Sequence, residues 1–233
     1  MPAPARQRTV GTMADAARSP RSSVHRHPER GRYDRTTIDA ILDEGLVCHL
    51  GFVSDGQPMV IPTMYVRDGD RVVVHGSAAS RMTRTVGTGV PVCLTVTLLD
   101  GVVFARTANN HSMNYRSAVL LGTAEAITEP VAKLEAMRAL VERIAPGRWD
   151  RIREPDPKEM RSTTILSLPI DEASAKVRTG PPLDDGDDLA LPVWAGVVPL
   201  RLAASTPVDD PALTTGQTPA EDIAGFIRRF SER

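Results

Sequence analysis

The sequence is short of lysine and cysteine and has no long hydrophobic run. Only Lys133, Lys158 and Lys176 are lysines among its 28 basic residues, and 29 acidic residues bring the formal net charge to −1. That balance supplies no global electrostatic reason to bind nucleic acid or an anionic membrane. The preference for arginine reads as genomic bias rather than function. The two cysteines, Cys48 and Cys93, each sit in an apolar segment with no second sulfur or histidine at metal-ligand spacing. This argues against a zinc site and a disulfide scaffold, and predicts buried thiols in a reducing compartment. No stretch approaches the roughly 18 apolar residues of a membrane span, and the N-terminus lacks the apolar core of a secretory signal, so a cytoplasmic location is expected. The phosphate loop GxxxxGK[ST], the zinc motif HExxH and the nucleophile elbow GxSxG are also absent, and nothing nominates a covalent hydrolytic mechanism.

What is present suggests one sizeable domain with appendages in a chain of 233 residues. Residues 1–25 are rich in Pro, Ala, Arg and Ser without apolar periodicity, which predicts a disordered arm. Its arginines (Arg6, Arg8, Arg18 and Arg21, followed by Arg26) are scattered and lack aromatic partners, as in a solvated tail, and the His25/His27 pair reads as incidental. From Thr36 the chain turns periodic: Ile38, Ile41 and Leu42 share a helical face, with Thr36 or Thr37 as cap and Gly45 as stop. Strands follow in "LVCHLGFVS", "QPMVIPTMYV" and "RVVVHG", separated by the turn signals Asp55-Gly56 and Arg67-Asp68-Gly69-Asp70.

A short helix is expected from about Ala78 to Val86, then the strand "PVCLTVTLL", a turn at Asp100-Gly101, "VVFAR", and the long strand "YRSAVLLGTAEAIT". Thr128 is placed to cap a helix with Glu129 and Pro130 in its first turn. A further strand, "TTILSLPI", precedes a Gly/Pro/Asp loop and "LPVWAGVVPL". Six or so antiparallel strands with tight turns and peripheral helices predict a small barrel over residues 26–202. Residues 203–217 read as a linker. Residues 218–233 read as an amphipathic helix with a Thr218/Glu221 capping box that docks on the domain or on a partner subunit.

Two stretches carry chemistry. In "VVVHGSAASRMTR", Gly76 permits close backbone approach, Ser77 offers a hydroxyl, and Arg81 and Arg84 lie one helical turn apart. Spacing alone leaves a phosphate cradle and a capped helix with exposed arginines equally open. In "ANNHSMNYRS", a dense polar cluster around His111, Asn114, Tyr115 and Arg116 precedes an apolar strand; it reads as a solvated loop or the rim of a site. His49 and His75 lie within β-runs and read as wall residues, and Trp194 as either core or ring-covering.

These segments, with "VIPTMYVRDGDRVVVHGSAASRMTR", "HSMNYRSAVLLGTAEAI", "PGRWDRIREP", "TTILSLPIDEASAKVRTGPP" and "LPVWAGVVPL", resemble the pyridoxamine 5′-phosphate oxidase-like FMN-binding split barrels. The similarity is to the branch that includes nitroimidazole-resistance and flavin-nucleotide-binding proteins, and it spans roughly residues 27 to 202 in the family's order. It implies a six-stranded split β-barrel and a homodimer with two FMN sites at the subunit interface. By position, Ile61, Pro62, Thr63 and Met64 would line the isoalloxazine ring, His75, Gly76 and Ser77 would lie beside the ribityl chain and phosphate, and Arg81 and Arg84 would pair with the phosphate. Asn114, Tyr115 and Arg116 would close the site, from either subunit. Where many relatives carry Arg-Lys this chain has Arg81-Met82, one phosphate partner fewer.

The function so implied is that of an FMN-dependent oxidoreductase acting on an unidentified small molecule, nitro-group reduction being one option by analogy, with His111 and Tyr115 the candidate catalytic residues. The alternatives are a non-catalytic carrier or sensor for flavin, deazaflavin or haem, with His49, His75 or His111 as an axial ligand, and a structural dimer with an empty pocket. No metal site is expected.

Overall fold

The computed structural model describes residues 19–214 and 216–231. Among them ten strands form one antiparallel sheet: β1 (Gly31–Arg32), β2 (Val47–Ser54), β3 (Gln57–Asp68), β4 (Arg71–Ser77), β5 (Pro91–Phe104), β6 (Ser112–Thr123), β7 (Glu125–Ala126), β8 (Thr163–Pro169), β9 (Glu172–Arg178) and β10 (Gly196–Pro199). Their order is β1-β9-β6-β5-β2-β3-β4-β8-β7, with β10 paired to β5. The helices are α1 (Arg35–Glu44), α2 (Arg81–Val86), α3 (Pro130–Ile144), α4 (Pro157–Ser162) and α5 (Glu221–Ser231). The expected mainly β, split-barrel fold is the one observed, with more strands than the six expected. β9 is absent from the sequence reading because "EASAKVR" buries small residues, Ala173, Ser174 and Ala175, instead of an apolar run.

The sheet curls around one core. Val72 and Val74 of β4, Leu94 and Val96 of β5, Ala118 and Leu120 of β6, and Leu166 and Leu168 of β8 face inward and meet Ile38, Ile41 and Leu42 of α1. The hydroxyl of the buried Tyr65 donates to the Leu42 carbonyl at 2.7 Å and ties α1 to β3. A second cluster lies outside the sheet, where Val66, Val73 and Ile165 pack under Ala136 and Leu140 of α3. β4 is therefore covered on both faces, which is why its sequence runs Val-Val-Val without polar alternation.

Several boundaries differ from those expected, each for a local reason. Asp100-Gly101 is not a turn: β5 runs straight through it with a register shift between Leu99 and Gly101. This bulge inserts one residue and re-phases the alternation, so the buried positions change from Val92, Leu94 and Val96 to Gly101 and Val103. Gly101 is required because a Cβ there would lie 3.0 Å from the Val198 carbonyl oxygen of β10. The expected strand through residue 128 breaks at Ala124 into β6 and β7. α1 is capped by Asp34, whose carboxylate accepts from Thr37 N at 2.8 Å, and not by Thr36 or Thr37. α3 is capped by Glu129 rather than Thr128, its two carboxylate oxygens accepting from the amides of Val131 and Ala132.

Of the expected N-terminal arm, residues 1–18, with Arg6, Arg8 and Arg18, lie outside the described residues. Residues after them contact the barrel: Arg21 pairs with Glu172 at 2.6 Å, and the Val24 amide donates to the Tyr33 hydroxyl at 2.8 Å. At the other end α5 docks on the same chain. The buried Asp222 carboxylate lies 3.3 Å from Arg148 and 3.8 Å from Arg151, and Arg229 donates to the carbonyl of Asp43 at 2.9 Å. No capping box forms at Thr218/Glu221; the Ala220 carbonyl accepts the first helical amides instead. No helix among the described residues is long and apolar enough to cross a membrane.

Candidate functional site

β3, the end of β4, and α2 bring the first group of candidate residues together. β3 pairs with β2 so that Ile61, Pro62, Thr63 and Met64 stand opposite Leu50, His49, Cys48 and Val47. Ile61 leans on the core, as its alternation with the buried Tyr65 requires. β4 ends in His75, Gly76 and Ser77, paired with Ile165, Thr164 and Thr163 of β8. The Nδ1 of His75 is buried and has no hydrogen-bond partner, and burial pulls the imidazole below its ordinary pKa.

The α2 helix begins later than the spacing suggests, at Arg81, with Ser80 as its cap accepting from Thr83 N at 3.2 Å. Ser77 is thus not the cap. The amides that a helix starting at Ala78 would have left open are already taken: Ala78 donates to the Ser162 carbonyl, Ala79 to the Ser77 hydroxyl and Ser80 to the Ser77 carbonyl. Gly76 is needed for packing, since a Cβ there would approach the Thr83 methyl to 3.0 Å and the Met82 methyl to 3.1 Å. Met82 is accordingly a core residue, 6% exposed, and faces inward where a lysine could not stay charged cheaply. Arg81 and Arg84 are exposed on the outer side of α2. Neither has a carboxylate partner among the described residues, although most of the chain's described arginines do; Arg81 makes only a 3.8 Å contact with the sulfur of Met59.

The β6 group is arranged differently. Asn114 is held by Arg178, which donates to its side-chain oxygen, and by the Gly180 carbonyl, which accepts from its amide at 3.1 Å. Tyr115 is half-buried, register partner of Leu99 and Arg178. Arg116 is clamped between Asp100 (2.7 Å) and Glu44 (2.5 Å), bonds that raise its pKa further and leave it a structural cross-link between α1, β5 and β6. The resemblance had Arg116 close the cofactor site with Asn114 and Tyr115; in the structure its guanidinium is held by Asp100 and Glu44. His111 closes a loop by donating from Nδ1 to the Thr107 carbonyl at 2.9 Å, with its ring edge-on to Phe104. Trp194 is 67% exposed and packs on Phe104 and on Gly196, so it is surface rather than core.

In the sheet order the β4–α2 group and the β6 group lie on strands separated by β3, β2 and β5. Between them lies a feature that sequence patterning missed. A cavity of about 690 Å³ opens over the outer face of β2 and β5, with Val47, His49, Leu99 and Arg116 in its wall and Leu200 and Phe230 over it. The alternation in "LVCHLGFVS" does put His49 on the face opposite the buried Cys48 and Leu50, but only tertiary docking of α5 brings Phe230 to it. The Cys48 thiol lies inside the barrel, where burial pushes its pKa up to about 12.

Known proteins point the same way. A family model for pyridoxamine 5′-phosphate oxidase matches residues 34–177, while a search of curated proteins finds no match. Among solved structures, the flavocytochrome Anf3 from Azotobacter vinelandii is 46% identical, with a TM-score of 0.85 over 89% of this chain and 97% of that one. The FAD and haem binding protein from Mycobacterium smegmatis is 36% identical, with a TM-score of 0.81 over 85% and 97%. A candidate 5-nitroimidazole antibiotic resistance protein from Bacteroides thetaiotaomicron shares the fold at 20% identity and a TM-score of 0.54, over 63% and 86%. With most of its length matched by the first two and its barrel matched by the family model, the chain belongs to the pyridoxamine 5′-phosphate oxidase-like split-barrel family.

Proposed function

We propose that this chain is a flavin-dependent oxidoreductase that acts on a small molecule as a homodimer. The observation that carries the reading is the pair of guanidiniums, Arg81 and Arg84, left without carboxylates on one face of α2 beside the strand end that holds the unpartnered His75 nitrogen. Those groups fit a flavin: the arginines hold phosphate, His75 offers a ring nitrogen to the ribityl chain or ring, and the β3 backbone from Ile61 to Met64 gives the isoalloxazine a flat wall. When bound, the flavin supplies the electron transfer; the protein supplies binding, orientation and exclusion of water.

FAD is favoured over the FMN that the family resemblance implies because the Mycobacterium smegmatis relative is named for FAD. The dimer is supported by the outer face of β2 and β3, where Val47, Val53 and Val60 are 49%, 55% and 63% exposed on one side of the sheet, and a second copy would bury them.

The test is to purify the protein, record its visible spectrum, release the cofactor with acid and identify it by chromatography, with light scattering for the dimer. A colourless protein that takes up neither FMN nor FAD overturns the proposal; release of a deazaflavin replaces the cofactor and keeps the site. A second reading, that the same chain also carries haem, is favoured by the two relatives named for it and by the His49 cavity. A Soret band in the same spectrum identifies it.

A further inference from the structure

We propose that the cleft between α5 and the turn that follows α3 binds a free α-amino acid, its ammonium on Asp222 and its carboxylate on Arg151. A cavity of about 620 Å³ opens there, within the usual range for small-molecule sites. Gly147, Asp150 and Arg151 wall it on one side and Glu221, Asp222 and Gly225 on the other, and it shares no lining residue with the cavity over β2 and β5. The turn is held in place from α3: the Glu142 carboxylate accepts from the amides of Gly147 at 2.7 Å and Trp149 at 2.8 Å, and Trp149 is buried.

The Asp222 side chain is only 1% exposed, and its two oxygens have different surroundings. Oδ2 accepts from Nη1 of Arg148 at 3.3 Å, outside the cavity lining. Oδ1 has no hydrogen-bond partner among the described residues; on its side stands Arg151, a residue of the cavity wall, with Nε 3.8 Å away and beyond hydrogen-bond reach. A buried carboxylate oxygen left unbonded is costly. The guanidinium of Arg151, half-exposed, likewise makes no hydrogen bond to a described residue. One acceptor and one donor fork therefore stand open side by side. The other charges of the cleft are taken, Asp150 by Arg138 at 3.4 Å and Glu221 by Arg228.

Gly225 points to a ligand independently. It sits inside α5, where glycine lowers helix stability relative to alanine. Its φ is not positive, and a Cβ there would meet only Nη2 of Arg228 at an ordinary 3.8 Å, so neither backbone nor packing calls for glycine. Gly147, by contrast, is explained by a φ of 82°. The missing side chain at 225 keeps the cavity open along the first turns of α5.

The two open groups select the ligand class. A simple amine would satisfy Asp222 and leave Arg151 open, and a simple carboxylate would do the reverse. An ammonium and a carboxylate on one carbon satisfy both with charge-assisted bonds, and bring no net charge into a cleft whose other charges are paired. Among the described residues no group of His, Cys, Asp and Glu is arranged to hold a metal ion. Phe230, at the far end of α5, lines the cavity over β2 and β5, so a ligand on Asp222 also fastens the helix that carries Phe230 there.

The experiment takes the full-length protein as purified and measures by calorimetry the binding of the common amino acids, one at a time, with methylamine and acetate as single-charge controls. At least one amino acid should bind, one per chain, and slow amide exchange over residues 221–231, while neither control binds comparably. Asp222→Asn, which keeps an oxygen for Arg148, and Arg151→Gln should each weaken binding about tenfold or more, the loss of one charge-assisted hydrogen bond. Gly225→Ala should weaken binding while raising the Tm of the unliganded protein. Failure of every amino acid to bind at millimolar concentration overturns the proposal, and so does wild-type affinity in both Asp222→Asn and Arg151→Gln. Methylamine or acetate binding as tightly as any amino acid overturns the ligand class. None of these readouts depends on bound flavin.

Discussion

Replacing Arg81 and Arg84 together by alanine isolates the proposed anion cradle, because these two side chains do little else in the fold. Both are exposed, neither pairs with a described carboxylate, and among the described residues the one side-chain hydrogen bond of either is that of Arg81 with the Met59 sulfur. Loss of the two should leave the thermal stability of the flavin-free protein within about 0.5 kcal/mol of wild type, as for surface positions without special roles. Toward flavin the outcome differs. A hydrogen bond to a charged group is worth about 1.5–3 kcal/mol, and exposure on α2 argues for the lower figure at each site. The pair then contributes about 3 kcal/mol, on the order of a hundredfold in Kd. Titration of flavin-free protein with FMN and FAD, followed by flavin fluorescence, reads this directly. Repeating it at several salt concentrations should show a shallower salt dependence in the double variant, since screening acts on the charges removed. An unchanged Kd with an unchanged salt dependence would refute the placement of the phosphate on α2.

Three further outcomes test the fold around the site. Gly45→Ala should destabilise the protein by about 1–3 kcal/mol, a fall of several degrees in Tm, because the added Cβ would lie 2.5 Å from Val96 and 2.6 Å from the Tyr65 hydroxyl; a Tm equal to wild type contradicts the packing of α1 on the barrel. Asp222→Ala should release α5, seen as faster amide exchange over residues 221–231 with little change in the barrel, because the buried carboxylate is what meets Arg148 and Arg151; equal protection in both proteins means that Phe230 and Arg229 suffice. Burial holds the folded-state pKa of His75 below 6.5, so under acidic conditions the unfolded chain binds more protons at this residue than the folded one. Stability from this group is therefore present above the unfolded pKa and lost as pH falls through the folded value. Thermal melts between about pH 7.5 and 5 should show that decline, and His75→Gln should flatten it.

The sequence by itself determined the strands that alternate or run apolar between turn residues: β2, β3 and β4 follow from "LVCHLGFVS", "QPMVIPTMYV" and "RVVVHG", and α1 and α3 from apolar positions three or four apart. Periodicity is local, so it survives without knowledge of neighbours. It also marked Arg81, Arg84 and His75, because charge and hydrogen-bonding capacity are properties of residue type. Tertiary structure decided what each residue had available. Asp100-Gly101 has the composition of a turn, yet β10 packs so closely on Gly101 that the pair becomes a bulge inside β5. Arg116 is of a residue type that can close a cofactor site, yet Glu44, 72 positions away, and Asp100 hold its guanidinium. Met82 turns inward because Gly76 leaves room for its methyl. The His49 cavity takes Phe230 into its lining because α5 folds back on the barrel, a contact between residues some 180 positions apart that carries no local signature. Which donors remain free for a cofactor is set by which partners the fold supplies, and those partners are distant in sequence.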